Sequence, residues 1–407
     1  MRYNKKAMEK IKTAIIGGGA SGLICAAHLQ TKNKRIVLFE KLDRVGKKLS
    51  ATGNGQGNVS NRGVTDTPYF SFDERGAEFA RRILQKYDSQ SLVDFLRSLG
   101  GLCLTDERGR VYPASRQASS LTDLLRREVS ARGVDVRLSS VVQGIEKREQ
   151  GFLLTVLSAG EEKKYWAENV LLCAGGKAAK NFGTDGGGYR LAGGLGHTLT
   201  PLYPSLVQLK TDTRWTKSLK GIRAQDCVVR VYVKQEEILS LQGDVIFTEY
   251  GVSGDAIFRL SAYIADKIER GEVCLVLDLA PTVTEPDLRA FLEEKKDKYG
   301  KEELLCGVVN NQIGRAILRR AEEEKQAVSL VVKRFALPVT GSLGFDYAQV
   351  TKGGIPLAEI EPTLQSKKAK GLYFAGEILD VDGPCGGFNL QWAYASARIV
   401  ADELNQK

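Results

Sequence analysis

The chain has 407 residues, with 59 Lys and Arg against 49 Asp and Glu and a hydrophobic fraction of 43%. These values exclude a disordered chain and fit two or three globular units. Glycine is the one residue type above its usual share of about 7%, and 43 glycines without a G-X-Y period or many prolines exclude a collagen-like chain. These glycines are therefore expected where the backbone closely approaches another group.

The formal net charge of +10 is concentrated near the N-terminus. Residues 1–48 contain twelve Lys or Arg and three Asp or Glu, a local balance of +9, and the remaining residues are nearly neutral. Such a basic region can face RNA, surround a diphosphate or form a solvated surface.

The seven cysteines lie far apart in the sequence, and there are only two histidines. No CxxC pair occurs, so no zinc site, other metal site or dithiol redox centre is predicted. This cysteine usage favours a reducing compartment, so a cytoplasmic location is expected. The apolar run 14–29 is too short and too rich in glycine to predict a membrane span.

The first predicted elements form a β-turn-α-β unit. Apolar spacing predicts a strand over 12–16, a helix over 20–30 and a second strand over 35–40, with a glycine turn between the first two. This is the usual opening of a doubly wound nucleotide-binding domain. Further helices are predicted over 92–99 and 121–132, and strands over 134–138, 152–156 and 169–173.

The pattern of predicted strands and helices changes between about 200 and 345, and this change predicts an inserted domain. Strands are predicted over 206–210, 226–234 and 245–248, and helices over 253–270 and 286–298. Near the C-terminus, a strand over 371–375 and a helix over 391–405 are expected to return to the first domain.

A dinucleotide-binding signature follows the first strand. Gly17, Gly19 and Gly22 satisfy G-x-G-x-x-G, and Glu40 ends the next strand 23 positions after Gly17, close to the ~20 expected of the acid that binds a ribose. The glycines permit the turn, the approach of a diphosphate and close helix packing. An acid at position 40 disfavours a 2′-phosphate, so FAD or NAD is predicted rather than NADP.

A second basic and glycine-rich segment, 41–58, follows Glu40. It has no role in a simple dehydrogenase, whereas a longer cofactor could extend along it toward a flavin ring. The alternative is a solvated basic loop.

These motifs resemble the BaiN-like FAD-dependent oxidoreductases, a bacterial family that includes bile-acid-reducing and aminoacetone-oxidising members. The motifs that carry the resemblance extend over almost the whole chain, and they include TGNG at 52–55, GRVYP at 109–113, TKGG at 351–354, GLYFAGEILD at 371–380 and GGFNLQW at 386–392.

Two segments depart from the family pattern. Many relatives have Gly-Arg-Cys-Asn where this chain has Gly-Gln-Gly-Asn at 55–58, and relatives often have proline where Asp255 follows Ser253 and Gly254. Both departures could alter the substrate pocket, so the resemblance to any one member leaves the substrate of this chain open.

The resemblance implies a non-covalent FAD in the first domain. Glu40 and Lys41 would hold the adenosine ribose, and Val142 would offer its backbone to adenine. Residues 47–58 would line the diphosphate and reach the flavin, residues 376–380 would lie near the ribityl chain and diphosphate, and residues 387–390 would bring N–H groups to the pyrimidine edge of the flavin. Besides Glu40, Lys41 and Val142, the individual cofactor residues that the resemblance implies are Gly17, Gly19, Ala20, Ser21, Gly22, Lys47, Lys48, Thr52, Gly53, Asn54, Gly55, Asn58, Ala174, Gly175, Gly376, Glu377, Asp380, Gly387, Phe388, Asn389 and Leu390.

No motif identifies the proton donor that an alkene reduction needs. Cys385, His197 and Tyr203 are the candidates, and Arg223 is a further candidate pocket residue. A buried structural role is the alternative for His197, and a small packing residue is the alternative for Cys385. The glycine clusters at 186–188 and 193–196 follow no predicted strand, so they do not predict a second dinucleotide site, and NADH or NADPH would bind transiently.

Three functions remain open from the sequence. The first is an FAD-dependent oxidoreductase that transfers hydride to or from a small organic substrate, as in NAD(P)H-dependent C=C reduction of an enone or steroid-like compound. The second is an oxygen-dependent amine or aminoketone oxidase. The third, suggested by the basic N-terminal region, is a flavin-dependent RNA-modifying or nucleic-acid-binding protein. A small-molecule substrate is expected, without nucleic-acid or membrane partners, and the oligomeric state stays open.

The predicted fold is α/β: a Rossmann-like FAD-binding domain interrupted by an inserted antiparallel β, barrel-like domain with a small helical part. The FAD-binding domain is expected over 1–198 and 346–407. The inserted substrate domain is expected over 199–345, with its helical subdomain at about 253–325.

Overall fold

The computed structural model describes residues 8–268, 271 and 273–407. The chain divides into two compact units: unit 1 contains the residues up to Tyr203 and Val350–Lys407, and unit 2 contains Pro204–Gln349. The assignment of 199–345 as a substrate domain stays a prediction. Three of the basic residues counted near the N-terminus, Arg2, Lys5 and Lys6, and residues 269–270 of the predicted helix 253–270 lie outside the described residues.

The β-strands of the described residues, in chain order, are β1 Glu9–Ile16, β2 Ile36–Phe39, β3 Ser60–Asn61, β4 Cys103–Thr105, β5 Arg110–Pro113, β6 Asp135–Arg137, β7 Ser140–Arg148, β8 Gly151–Ser158, β9 Glu161–Leu172, β10 Tyr203–Ser205, β11 Leu209–Thr211, β12 Arg223–Val233, β13 Glu236–Phe247, β14 Gly251–Ser253, β15 Val273–Asp278, β16 Phe335–Ser342, β17 Val350–Lys352 and β18 Leu372–Phe374. The α-helices of the same residues are α1 Ala20–His28, α2 Lys47–Ser50, α3 Glu74–Lys86, α4 Ser89–Ser98, α5 Ala118–Ala131, α6 Gly187–Gly193, α7 Asp255–Ile268, α8 Glu285–Tyr299, α9 Asn311–Glu323, α10 Val328–Lys333 and α11 Phe388–Asn405.

Unit 1 is built on a seven-stranded sheet. Strands β6, β2, β1 and β9 are parallel neighbours in that order, and β18 pairs in parallel with the C-terminal end of β9. The antiparallel hairpin of β7 and β8 pairs with the N-terminal part of β9. Because β1, β9 and β18 are parallel, the turns that follow them lie at one edge of the sheet, which is where ligands bind in doubly wound folds.

Helix α11 fixes one of these turns. The indole Nε1–H of Trp392 donates to the carbonyl of Gly376 at 3.2 Å, and the Gly376 N–H donates to Ser396 Oγ at 2.9 Å. Trp392 and Tyr394 are fully buried, so the helix is held by its apolar face as well as by these bonds. The turn after β18 and the long C-terminal helix therefore form one rigid piece.

Unit 2 contains a closed barrel of six strands in the order β11, β14, β13, β12, β15 and β16, all antiparallel. Its interior side chains alternate along the strands, as in Val229 and Val231 of β12 and Leu275 and Leu277 of β15, which are all fully buried. The predicted α/β fold with an inserted antiparallel barrel-like domain is confirmed.

The predicted helical subdomain at 253–325 needs one correction. Strand β15 lies within it and pairs with both β12 and β16 of the barrel. The sequence of β15, VCLVLD, is a short apolar run, and a run of this length does not distinguish a buried strand from a buried helical segment. The helices α7, α8 and α9 flank this strand along the chain.

The barrel core gives a first testable prediction. Phe247 is fully buried and meets Phe335 edge to face at a centroid distance of 6.1 Å, whereas Phe291 on α8 is 50% exposed. Phe247→Ala should lower the free energy of unfolding by about 3–5 kcal/mol, and the matched control Phe291→Ala by less than about 1 kcal/mol. Urea unfolding followed by circular dichroism measures both, and equal losses would contradict the barrel packing.

Candidate functional site

The turn between β1 and α1 depends on two glycines. Gly17 has a φ of +111°, and a Cβ at this position would lie 2.6 Å from the carbonyl oxygen of Cys173. A Cβ at Gly22 would overlap the carbonyl oxygen of Gly17. Because neither position tolerates a side chain, α1 begins immediately above the end of β1 and directs its first N–H groups to that edge of the sheet.

Gly19 differs from these two glycines. Its φ is −78°, an ordinary value, and a Cβ built on it meets no atom within 4 Å. The folded chain therefore does not need glycine here. A glycine at the open side of a helix N-terminus is expected where an anion such as a diphosphate approaches the backbone.

Glu40 lies beside the same turn and is buried. Its Oε2 accepts from the N–H of Gly18 at 2.7 Å, and its Oε1 accepts from the N–H of Leu42 at 2.8 Å. Each carboxylate oxygen can accept a second hydrogen bond, so the position is suited to bind the hydroxyls of a ribose. The start of β7 is joined to Glu40, because the N–H of Ser140 donates to the carbonyl of Glu40 at 2.9 Å. Val142 lies two residues further along the same strand.

The turn after β18 packs directly on α1. Gly376 has a φ of +78°, and a Cβ at this position would overlap Ser21 Oγ. Ala174 and Gly175, which follow β9, complete this edge, since a Cβ at Gly17 would lie 2.9 Å from Ala174 Cα. The structure thus brings together three predicted segments that are separated by more than 150 positions in the sequence.

Asp380 is fully buried at the end of this segment. Its Oδ2 accepts from the N–H of Phe72 at 2.9 Å and from Ser71 Oγ at 3.1 Å, whereas its Oδ1 has no hydrogen-bond partner among the described residues. Burial raises the pKa of Asp380, and the hydrogen bonds from Phe72 and Ser71 oppose that rise. A buried carboxylate oxygen without a protein partner is costly, which makes Oδ1 a candidate for contact with a ligand.

Glu377 connects three further segments. Its Oε1 accepts from the N–H of Thr351 at 3.0 Å, and its Oε2 accepts from Lys48 Nζ at 2.7 Å. Thr351 Oγ1 in turn accepts from the N–H groups of Lys177 and Ala178 at 2.7 and 2.9 Å. Glu377 and Lys48 therefore hold the segments of the site together, and each is already engaged with protein.

The other predicted lysines also have partners. Lys41 forms an ion pair with Asp185 at 2.8 Å, and Lys47 forms one with Asp43 at 2.7 Å. Such half-exposed pairs are weak, so both side chains can exchange partners when an anion binds nearby.

The loop 52–58 extends from α2 toward the start of α11. Gly53, Asn54 and Gly55 have φ values of +58°, +53° and +81°, and Gly53–Gly55 are exposed, with Thr52 half-buried beside them. Asn58, with its amide oriented to suit both neighbours, accepts from the N–H of Gly387 at 3.2 Å and donates to the carbonyl of Ser60 at 3.0 Å.

The N-terminus of α11 is the second helix start at the site. Its first intrahelical bond runs from the N–H of Gln391 to the carbonyl of Gly387, so the N–H groups of Phe388, Asn389 and Leu390 have no acceptor within the helix. The Asn389 side chain and the backbone of Gly383 exchange two hydrogen bonds of 2.7 and 2.8 Å. In this orientation of Asn58 the Gly387 N–H has a protein acceptor, and its contact with the flavin stays a prediction.

The predicted proton donors lie in different surroundings. Cys385 is half-buried immediately before this helix, and it contributes to the raised pKa of Tyr112, whose main cause is burial. Tyr203 is half-exposed, with its ring 6.1 Å from that of Phe72. Arg223 belongs to unit 2, where it forms an ion pair with Asp244.

His197 is buried in a hydrogen-bonded group. Its Nδ1 lies 2.7 Å from Glu359 Oε2 and its Nε2 lies 2.8 Å from Ser366 Oγ. Burial lowers the pKa of His197 more than the bond to Glu359 raises it. Because both ring nitrogens are engaged in hydrogen bonds, the geometry favours the structural role for His197.

Sequence reasoning missed several residues that shape the site. Tyr69 donates to the carbonyl of Phe388 at 2.9 Å, and Asn61 donates to the carbonyl of Gly386 at 3.2 Å. Thr351 was noticed only as part of a shared motif. The only sequence signal for these residues was a polar side chain within an otherwise apolar or glycine-rich stretch. Their hydrogen-bond partners lie 174 to 325 positions away, so no local pattern identifies those partners.

Residues 11–403 match the model of a family described as the HI0933-like protein Rossmann domain. The chain belongs to this family. Membership confirms the predicted resemblance and the assignment of the chain as a flavoprotein oxidoreductase.

Two relatives match the HI0933-like chain over almost its full length. A 3-dehydro-bile acid delta(4,6)-reductase of Clostridium scindens is 34% identical over 96% of this chain and 98% of its own. A ribosomal RNA dihydrouridine synthase of Escherichia coli is 26% identical over 98% of both chains. Among solved structures, a 3-ketosteroid-delta4-(5alpha)-dehydrogenase from Rhodococcus jostii RHA1 has a TM-score of 0.54 at 14% identity and 99% coverage of both chains, which supports the fold.

The residues of the site fit FAD. Gly19 leaves space at one helix N-terminus for a diphosphate, Glu40 suits a ribose, and Asp380 Oδ1 suits a hydroxyl. None of the helices that the structure describes combines the length and apolar character needed to cross a bilayer.

The two glycines of the first turn should respond oppositely to alanine. Gly22→Ala forces a methyl group onto the Gly17 carbonyl, so it should lower the melting temperature of the apoprotein by at least 5 °C. Gly19→Ala should leave that temperature within about 2 °C of the wild type but weaken FAD binding at least tenfold, because the methyl group enters the open side of the turn. Thermal unfolding and flavin-fluorescence titration measure these effects, and a Gly19→Ala variant with unchanged affinity would contradict the placement of the diphosphate.

The group around His197 predicts a pH dependence. Burial tends to raise the pKa of Glu359, but hydrogen bonds from Lys368, Thr198 and His197 outweigh it and lower the pKa to about 2, against an ordinary value of 4.5. A lowered carboxyl pKa stabilises the fold above pH 4.5, and this stabilisation is lost as the pH falls to about 2. Glu359→Gln should therefore be less stable than wild type by about 1–3 kcal/mol at pH 6, and the difference should shrink steadily below pH 4.5 in unfolding measured across pH.

Proposed function

We propose that the protein is a reductase that uses non-covalent FAD and a transient NADH or NADPH donor to reduce a C=C bond conjugated to a carbonyl group in a small organic molecule. The observation that carries this proposal is a set of three potential cofactor contacts along unit 1: the open side of Gly19, the Oδ1 of Asp380 without a protein partner and the first N–H groups of α11. The 34%-identical relative that is named as a reductase of an unsaturated bile acid supports the substrate class.

Each group of the site has a distinct part in holding the cofactor. The N–H groups at the start of α1 would bind the diphosphate, and Glu40 would accept from the adenosine ribose. The N–H groups of Phe388–Leu390 would face the pyrimidine edge of the flavin, where the reduced ring carries negative charge. Bound FAD supplies hydride chemistry that no side chain of the protein can supply.

The overall reaction requires one proton besides the hydride. The β-carbon of the conjugated alkene gains the hydride equivalent, and the α-carbon, which is bonded to the carbonyl carbon, gains a proton. The nicotinamide is oxidised. Cys385, which is half-buried, is the proton-donor candidate nearest in sequence to α11. Tyr203 stays a second candidate for the proton donor.

The cytoplasmic location expected from the sequence stays a prediction.

A ribosomal RNA substrate is the second candidate function. The Escherichia coli relative is named for the formation of dihydrouridine, and reduction of the uracil C5=C6 bond is also addition of a hydride and a proton to a C=C bond conjugated to a carbonyl. Unit 1 has 38 Lys and Arg against 27 Asp and Glu, whereas unit 2 has 21 against 22. This positive balance favours a polyanionic partner, contrary to the expectation that nucleic acid is not bound.

The visible spectrum and an anaerobic titration test the proposed function directly. Purified protein should show the absorption of oxidised flavin, lose it on addition of NADH or NADPH without oxygen, and regain it when a conjugated steroid enone is added. A protein without flavin would contradict the proposal. Peroxide release with an amine, without any need for nicotinamide, would instead support the oxidase.

The substrate that reoxidises the reduced flavin distinguishes the RNA alternative from the small-molecule proposal. If ribosomal RNA restores the flavin absorption and gains dihydrouridine while the enone does not react, the small-molecule proposal is wrong and the second candidate is supported. Binding of RNA that weakens steeply between 50 and 200 mM salt would accompany that result.

A further inference from the structure

Tyr189 lies on α6, a helix that packs on two segments of the cofactor site. A Cβ at the preceding Gly188 would lie 3.0 Å from both Ala174 Cβ and Ile378 Cδ1, so α6 packs on the turns that follow β9 and β18. The N–H of Gly186 donates to the carbonyl of Gly176 at 3.1 Å and fixes the start of the helix. The position of Tyr189 is therefore set by the backbone of the site itself.

The hydroxyl of Tyr189 is buried without a partner. The residue is 5% exposed, and its hydroxyl oxygen makes no hydrogen bond among the described residues. Burial, followed by the charges of Glu377, Asp380 and Asp382, raises the pKa of this phenol well above its ordinary value. The phenol thus remains protonated and can act as a hydrogen-bond donor at neutral pH.

Other buried tyrosines of unit 1 do not share this property. Tyr69 donates to the carbonyl of Phe388 at 2.9 Å, and Tyr394 donates to the carbonyl of Ser91 at 2.9 Å. A buried hydroxyl without an acceptor costs about 1–3 kcal/mol. Asp380 Oδ1, one of the carboxylates that influence Tyr189, is likewise without a partner, so a donor and an acceptor are both unused in one buried region.

This pair of groups selects the chemistry of the ligand. A phosphate oxygen can accept from Tyr189 but has no proton to donate to Asp380. A hydroxyl group can accept from the phenol and donate to a carboxylate. The region is therefore suited to a neutral chain of hydroxyls.

We propose that Tyr189 is a cofactor-binding residue that, with Asp380, holds the ribityl chain of FAD. The Tyr189 hydroxyl donates to a ribityl oxygen, and Asp380 Oδ1 accepts from a ribityl hydroxyl. This inference rests on the proposed function, because it requires FAD as the cofactor. It adds α6 to the elements that recognise the cofactor and assigns Tyr189, in a glycine-rich stretch that carries no dinucleotide signature, a specific role.

The test compares Tyr189→Phe with the matched control Tyr394→Phe in the full chain, using apoprotein titrated with FAD and with ADP. Tyr189→Phe should raise the dissociation constant for FAD about 5- to 20-fold and leave that for ADP within about twofold, because ADP lacks the ribityl chain. Its apoprotein should melt no lower than wild type, since the variant removes a buried hydroxyl without a partner. Tyr394→Phe should show the opposite pattern, with unchanged FAD affinity and a lower melting temperature.

Each other result has a definite meaning. Unchanged FAD affinity in Tyr189→Phe overturns the inference while the proposed function stands, provided the wild type binds FAD. Parallel weakening of FAD and ADP places the contact at the diphosphate and also overturns it. A wild-type apoprotein that does not bind FAD overturns both. If Tyr189→Phe does not fold, wild-type protein is titrated with FAD analogues that lack single ribityl hydroxyls, and equal affinity for every analogue overturns the inference.

Discussion

The cofactor site depends on the close approach of α1 to the end of β1, which only glycine at position 22 permits. This approach places the first turn of α1 above the edge of the sheet, where Ser21 meets the turn at Gly376. That turn is bound to Trp392 and Ser396 of α11, so the two helices are joined through it. The N–H groups at both helix starts are thereby fixed before any ligand binds, which lowers the cost of binding an anionic cofactor.

The acids and the backbone N–H groups of unit 1 are suited to different chemical groups of a ligand. Unit 1 is positively charged overall, yet its interior contains buried carboxylates at Glu40, Asp380 and Asp382. Phosphates are suited to helix N-termini, whereas hydroxyls are suited to carboxylates. An FAD molecule alternates between these chemistries along its length, with ribose, diphosphate and ribityl chain in succession, which is the basis of the proposal that unit 1 binds it.

Local patterns in the sequence were sufficient for the first βαβ unit. The glycine spacing at 17–22 and the acid at position 40 are separated by short distances along the chain, and their geometry follows from the unit that contains them. The antiparallel barrel was expected from alternating strands, but β15 was missed because its apolar run is short and both flanking segments are helical.

The connections within the site could not be predicted from sequence. Lys48 and Glu377 are 329 positions apart, and their contact depends on the return of the chain to unit 1 after the barrel. The hydrogen bond between the Asn58 side chain and the N–H of Gly387 likewise joins segments that are far apart in the sequence. Tyr189 had no signal at all in the sequence, because the absence of a partner for a hydroxyl is a property of the packed structure.

Hydrogen exchange of the apoprotein with and without FAD tests the central claim, that one cofactor spans unit 1 from the start of α1 to the start of α11. FAD should slow exchange at the backbone amides of residues 18–22 and of residues 388–390 together, with little change in the strands of the barrel. Protection at residues 18–22 alone would contradict the claim, because the bound molecule would then not reach α11.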